Sequence, residues 1–346
     1  MGSTQNLDSD TDESTSKNVH SQRTESISGF VMQRIIRSGF SSIFLSPDNT
    51  TSRPTLSLDF LPCSVKIEAS TNQGLLLCTH FPPTYRNIPK VYVCKPTTKQ
   101  WKQIPNPKTR YRNKAIGMIV LSSRPLHYKI VRFSQPKFRT DRDSYRFNNL
   151  RCEVFDSKIH AWKQLKEVIL YESFIGFNPS VSACGSLHWL TFGCKIFAFH
   201  VKEEIYSMIS LPEPVRKNYH QKIMMLGEFE GNLALICKEE GERFMELWII
   251  ENYDRKIWKK KQIVNFEALT KELPYIILTG VCNANVALRD GIDKLTFFNL
   301  KDGRTKPLRL EMGFDVVETF SFESDFEPYV DESVLEDSRG NQEQEN

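Results

Sequence analysis

The stretch Tyr92-Val93-Cys94-Lys95-Pro96-Thr97-Thr98-Lys99-Gln100-Trp101-Lys102-Gln103-Ile104-Pro105 decides the fold. Apolar residues alternate at Val91 and Val93, as a half-buried strand requires. Pro96 then fixes φ, the hydroxyls of Thr97 and Thr98 can bond the turn backbone, and a second strand opens on Trp101. The reading is a β-hairpin. Sixty-one residues on, Val154-Phe155-Asp156-Ser157-Lys158-Ile159-His160-Ala161-Trp162-Lys163-Gln164-Leu165 repeats it without a gap, with valine, tryptophan, Lys-Gln and the closing aliphatic in register. Looser copies follow at Phe197 to Ile209, with Tyr206 in the tryptophan's place, at Leu247 to Ile263 with Trp258, and at Leu295 to Leu310, where Lys301-Asp302-Gly303 reads as a shorter turn. Recurrence of one cassette along the chain makes a repeat architecture the first hypothesis.

Each cassette is preceded by a glycine turn and an apolar strand: Gly74-Leu75-Leu76-Leu77-Cys78, Gly185-Ser186-Leu187-His188-Trp189-Leu190 and Gly231-Asn232-Leu233-Ala234-Leu235-Ile236, with Asn283-Ala284-Asn285-Val286-Ala287-Leu288 before the last. Further strands lie upstream at Ile223 to Phe229 and Ile276 to Cys282. A unit of strand, tight turn, strand, variable loop, strand, polar turn and strand, over roughly 45 to 60 residues, is the plan of a β-propeller blade. The expectation is an all-β, kelch-like β-propeller of about five to six blades with disordered termini, and an open β-sandwich is the structural rival. Phe314 to Phe322 reads as a spare strand that closes the ring against an N-terminal one, which would remove two exposed sheet edges. Leu56-Ser57-Leu58-Asp59-Phe60-Leu61 alternates like a strand, and Cys63 to Ser70 reads as another.

Composition limits the alternatives. At 346 residues the chain can bury a large core, and one all-β domain can use most of that length. The net charge of +4 is small for this size, so no nucleic-acid partner is expected, although a nucleic-acid-binding regulator stays as an alternative. No apolar run approaches the roughly 20 residues that span a bilayer, and the polar N-terminus lacks the apolar core of a signal peptide. The expectation is an intracellular protein of cytoplasm, nucleus or both, without a membrane partner. Eight cysteines with no CxxC pair, mostly inside apolar strand patterns, read as reduced and buried thiols.

Residues 1–26 are polar and almost free of large apolar side chains, which predicts a disordered tail. Their cluster Asp8, Asp10, Asp12 and Glu13 lacks the glycine and distal glutamate of a calcium loop. Residues 27–330 read as one interaction domain, and residues 331–346 as a second disordered, acidic tail.

Several of these strings resemble the plant F-box proteins that carry a C-terminal F-box-associated, kelch-like interaction domain. The resemblance is carried by Ile27-Ser28-Gly29-Phe30, Leu61-Pro62-Cys63-Ser64-Val65-Lys66-Ile67-Glu68-Ala69-Ser70, Asn72-Gln73-Gly74-Leu75-Leu76-Leu77-Cys78 and the Cys94 to Trp101 string, with Gly185 to Leu190 similar to the family's mid-domain strand. It covers about residues 27 to 330. It implies a substrate receptor of an SCF-type ubiquitin ligase, in which an N-terminal helical F-box opening on Leu-Pro binds a Skp-type adaptor and the C-terminal domain holds the target. Residues 1–26 carry no Leu-Pro opening and no aliphatic stripe, so the F-box is expected to be missing and no Skp-type adaptor is expected to bind this chain.

No Gly-x-Ser-x-Gly elbow, Walker A loop, Gly-x-Gly-x-x-Gly or His-Glu-x-x-His occurs, so no catalytic residue, cofactor or metal site is assigned and the chain is read as a non-enzyme. The alternative from another class is a kelch-type propeller enzyme, a copper oxidase, for which no cluster of His, Tyr and Cys is apparent. Two basic stretches are the candidate partner-binding residues: Arg110, Tyr111 and Arg112, leaving the first cassette, and Lys137, Arg139, Arg142, Tyr145 and Arg146, in a long loop between two strands of the second unit. Arg and Tyr join apolar contact area to directional hydrogen bonding, which suits an interface with a protein target. Lys259-Lys260-Lys261 reads instead as the blunting of an outer sheet edge.

Overall fold

In the computed structural model, residues 26–37, 39–47, 56–81, 90–109, 111–135, 148–171, 174, 179–217, 219–239, 241–265, 276–290, 294–310 and 318–329 are described. They form 24 strands in six antiparallel sheets. Two N-terminal strands, β1 (Ser26–Ile36) and β2 (Gly39–Leu45), come first. Blade 1 is β3 (Val65–Ser70), β4 (Leu76–His80), β5 (Val91–Lys95) and β6 (Gln100–Ile104). Blade 2 is β7 (Arg112–Ser123), β8 (Leu126–Gln135), β9 (Asn148–Asp156) and β10 (Ala161–Gln164), with the short β11 (Val168–Leu170) also on β9. Blade 3 is β12 (Val181–Ala183), β13 (Ser186–Leu190), β14 (Lys195–His200) and β15 (Ile205–Ser210), followed by one helical turn, α1 (Glu213–Arg216). Blade 4 is β16 (Lys222–Phe229), β17 (Asn232–Glu239), β18 (Phe244–Asn252) and β19 (Ile257–Asn265). Blade 5 is β20 (Ile276–Cys282), β21 (Asn285–Asp290), β22 (Lys294–Asn299) and β23 (Thr305–Arg309).

The sixth sheet closes the ring. β24 (Glu318–Asp325) is its innermost strand and pairs with β1 from Ser26↔Asp325 to Gln33↔Glu318, with β2 outside. The innermost strands β3, β7, β12, β16, β20 and β24 touch in succession around the axis, so the array is a six-bladed β-propeller. Closure by strands from opposite ends of the sequence removes the two edges that an open array would leave.

The side-chain period of two explains why the blades stack. On β4, Leu77 faces a cluster shared with blade 2, while Leu76 and Cys78 face a cluster shared with blade 6. On β14, Phe197 and Phe199 face blade 2 while Ile196 and Ala198 face blade 4. Six such apolar clusters occur among the described residues, one between each pair of neighbouring blades. Close to the axis there is no room for a side chain at every position. A Cβ at Gly227 would lie 2.9 Å from Val281 Cβ, and one at Gly280 would lie 2.6 Å from Thr319 Cγ2.

Every cassette turn ends on a left-handed residue just before the outer strand: Lys99 (φ 57°), His160 (49°), Glu204 (56°), Lys256 (56°) and Gly303 (72°). The last turn is therefore not shortened. Leu300 to Gly303 has the same four-residue plan as Pro96 to Lys99. Two further sequence expectations need correction. Leu56 to Leu61 is not a strand but an irregular segment with a turn, in which Leu56, Leu58 and Phe60 pack into the blade 6–blade 1 cluster, so burial without strand pairing produced the alternation. Strand β3 begins at Val65 rather than Cys63; of the expected closing strand Phe314 to Phe322, Glu318 to Phe322 lie in β24 and residues 314–317 lie outside the described residues.

Trp101 also departs from its copies. Trp162 is buried and its Nε1 donates to Pro105 O of blade 1 at 2.6 Å; Trp258 Nε1 donates to Ser210 O of blade 3 at 3.0 Å. Each indole thus reaches the end of the preceding blade's outer strand. For Trp101 the preceding blade is the sixth, whose described strands number three, and the indole is 42% exposed, edge-on to Tyr92 at 5.7 Å.

Candidate functional site

Alternating strand direction sorts the connections onto two ends of the propeller. In blades 1 to 5 the tight hairpin turns between the two inner strands, such as Cys184-Gly185 and Glu230-Gly231, share one end with the cassette turns. The longer connections, within blades and between them, share the other end. Loops on a rigid scaffold are where binding side chains concentrate.

The described residues that flank the two basic stretches lie at that second end of blade 2. Arg112, the first residue of β7, is in register with Gln135, the last of β8, and Asn148, the first of β9, is in register with Leu170 of β11. Gln135 and Asn148, which bound residues 136–147, therefore both lie at this end of the blade. Of the candidate residues, Tyr111 is described in full, and Arg112 by its backbone only. Arg110, Lys137, Arg139, Arg142, Tyr145 and Arg146 lie outside the described residues.

A buried ionic node holds this end of the blade. Arg132 and Glu153 are 4% and 1% exposed, and the guanidinium donates to the Glu153 carboxylate. Arg132 also donates to Thr109 O (3.3 Å), Thr109 Oγ1 (3.0 Å), Asn113 Oδ1 (2.5 Å) and the Tyr111 carbonyl. Glu153 accepts from Thr109 Oγ1 (2.6 Å) and Thr109 N (3.3 Å). Burial pulls the Arg132 pKa below its ordinary value, and Glu153 opposes that shift. A buried ion pair is stabilising only when its remaining donors and acceptors are also met, and here several go to the backbone and side chains of the segment that enters β7. The node consequently fixes the path of Thr109 to Asn113, on which the first basic stretch rides. Beside it, the Arg151 guanidinium lies 5.1 Å from the Tyr111 ring centroid and 3.6 Å from Glu167 Oε1, while Asn149 Nδ2 donates to Glu167 Oε2 at 2.8 Å.

Arg132, Glu153 and Arg151 were not picked out from the sequence. The usable signal was a charge at a core-facing strand position, Arg132 between Val131 and Phe133 and Glu153 between Cys152 and Val154.

The axis offers little chemistry. A cavity of about 60 Å³ there is lined by Ser70, Ser180, Ser182, Thr279, Thr319 and Ser321 among others, about the space of two waters. Among the described residues no group of three or more His, Cys, Asp and Glu could hold a metal ion. His188 is fully buried, with Nδ1 3.2 Å from Val181 O and Nε2 2.6 Å from Tyr253 Oη, and His160 packs edge-on against Phe155 at 5.5 Å, so both have structural contacts. No described helix is long and apolar enough to cross a membrane.

Comparison with known proteins agrees with the architecture. The F-box associated beta propeller domain family matches residues 44–302. The chain is similar to "F-box protein At5g41720" of Arabidopsis thaliana, 41% identical over 145 residues covering 40% of this chain and 76% of that one. It is also similar to two more Arabidopsis thaliana proteins, "F-box protein At5g49610" (28% over 249 residues, 68% and 66%) and "F-box protein At5g03970" (27% over 205 residues, 57% and 45%). The chain spans about half to three quarters of the length of these curated relatives. With six blades closed by terminal strands and the domain match covering most of those blades, this chain belongs to the F-box-associated β-propeller family of plant F-box proteins.

Proposed function

We propose that this chain is a non-catalytic interaction module that holds a protein target, as the substrate-recognition part of an SCF-type ubiquitin ligase receptor does. The observation that carries the reading is the end of blade 2, where Arg132 bonds Thr109 and Asn113, the residues that bound the first basic stretch, and where Gln135 and Asn148, the residues that bound the segment holding the second, also lie. A pre-ordered rim lowers the entropy lost when a partner docks. Arginines at such a rim favour an acidic target surface and act mainly on the association rate at low salt. The partner-binding residues in this reading are Arg110, Tyr111, Arg112, Lys137, Arg139, Arg142, Tyr145 and Arg146.

The direct test is affinity capture from plant extract with mass spectrometry, comparing the native chain with the triple variant R139S/R142S/R146S. The reading expects specific target capture that the triple variant weakens while its melting temperature barely changes. Undiminished capture would move the contact to another loop. Residues 1–346 alone are further expected to bind a Skp-type adaptor no better than micromolar. A submicromolar affinity by calorimetry would overturn that part.

A further inference from the structure

The axial cavity holds no reacting group, but its lining is that of a cation site. A smaller cavity beside it, at the cassette-turn end where the innermost strands finish, shares Asn72, Glu228, Val281 and Ser321 with it and adds Asn283 and Glu323. No described lysine, arginine or histidine lines either space, whereas two carboxylates do. Glu228 stands one residue before the end of β16, and Glu323 two before the end of β24. Blades 1 and 4 are on opposite sides of the ring, yet Asn72 Nδ2 of the first donates to Glu228 Oε2 of the other at 3.3 Å, so this carboxylate reaches over the axis. Asn283 Nδ2 likewise donates to Glu323 Oε2 at 3.3 Å. Neither carboxylate has an ion-pair partner among the described residues; Lys261 and Lys301 lie 3.9 and 3.8 Å from Glu230 instead.

The rest of the polar lining is set to accept rather than to donate. The Asn72 and Asn283 amides spend N–H groups on the carboxylates, which leaves each Oδ1 as an acceptor. Ser70 Oγ donates to Ser321 O and Thr279 Oγ1 to Ala287 O at 2.9 Å, so both hydroxyls keep only lone pairs for the cavity. Thr319 lines the same cavity, is 7% exposed, and its Oγ1 has no hydrogen-bond partner. A buried hydroxyl left without a partner, in a space lined by oxygens and flanked by two unneutralised carboxylates, points to an occupant that carries positive charge and takes oxygen ligands. We infer that the propeller axis binds one small cation, whose charge Glu228 and Glu323 balance and to which the lining hydroxyls, Thr319 among them, present their oxygens. A hard inorganic ion and the primary ammonium of a lysine side chain share this chemistry. The inference does not depend on the interaction-module reading, whose contacts are at the other end of the molecule.

The test uses the full chain in tetramethylammonium chloride, whose methyl groups bar oxygen contacts to the charge. Calcium, potassium and methylammonium chlorides replace it in turn at constant ionic strength while the melting temperature is followed. At least one is expected to raise the melting temperature saturably, as a ligand of the folded state does. Saturation by calcium or potassium assigns an inorganic ion, and saturation by methylammonium alone assigns a lysine ammonium. E228Q/E323Q should raise the half-saturating concentration at least tenfold, whereas E242Q, an exposed acid in the β17–β18 connection, should leave it unchanged. T319V should weaken binding and T319S should keep it. Without added cation T319V should melt no lower than the native chain, because it deletes an unpartnered hydroxyl, so the test stands even where the double carboxylate variant fails to fold. No saturable response to any of the three ions, or a response that survives intact in either E228Q/E323Q or T319V, would overturn the inference and leave the cavity to water alone.

Discussion

Trp101, Trp162 and Trp258 occupy one place in the repeat, yet only two of them reach a carbonyl of the blade before. Replacing buried Trp162 by alanine removes a large core side chain and leaves Pro105 O without its donor, and should cost roughly 3 to 5 kcal/mol. Trp101, 42% exposed, should cost less than half as much. Urea midpoints for the two variants check this, and equal losses would contradict it. The recurrence of tryptophan was legible in the sequence. The difference was not, since it depends on which blade precedes the first and how many strands that blade has. A second residue-scale outcome concerns His188. Its Nδ1 faces a carbonyl, which only accepts, so Nδ1 carries the proton and Nε2 accepts from Tyr253 Oη. Burial, with a smaller repulsion from His200, pushes its pKa from 6.5 to about 4, against the bond to Val181. The unfolded chain therefore takes up a proton below about pH 6.5 that the folded chain refuses until about pH 4. Stability present above that window is lost as pH falls through it, by up to roughly 3 kcal/mol. H188Q should flatten the decline of the urea midpoint between pH 7 and pH 4.5, and parallel declines would sink the assignment.

At the scale of elements, the first cassette does more than form a hairpin. Lys95 Nζ donates to the Asp325 carboxylate and to Glu327 O at 2.6 Å, Thr97 Oγ1 lies 3.0 Å from Ser324 Oγ, and Gln100 exchanges bonds with the Tyr329 backbone at 3.0 and 3.3 Å. The string that looked like a turn and a strand start is also the clasp for the chain segment that follows the closing strand. Lys95 is 5% exposed, so D325A leaves a nearly buried cation with one carbonyl partner, whereas K95M removes the cation itself. D325A is expected to be the more destabilising, at about 2 kcal/mol. The reverse order in chemical denaturation would mean that the clasp does not hold the strand. The turns themselves were readable from Pro96 and the threonines, but the left-handed residue at Lys99, His160, Glu204 and Lys256 was not, because none of these is glycine. Pairing with the outer strand imposes that conformation against local preference.

For the whole molecule, the period of the cassettes made a propeller legible, and the spare C-terminal strand made its closure legible. The blade number was not, because the sixth blade takes β24 from one end of the sequence and β1 and β2 from the other, so no contiguous repeat announces it. The two basic stretches were legible as candidates, but the Arg132–Glu153 node that fixes the segment entering β7 was not, because it joins residues of different strands. The central claim is that the long-connection end, at blade 2, is where a target binds. Hydrogen–deuterium exchange of the chain with and without a captured target tests it most directly. The account expects new protection in residues 108–115, 132–135, 148–151 and 168–171. Protection confined to the cassette turns at 96–99, 157–160, 201–204, 253–256 and 300–303 would contradict it.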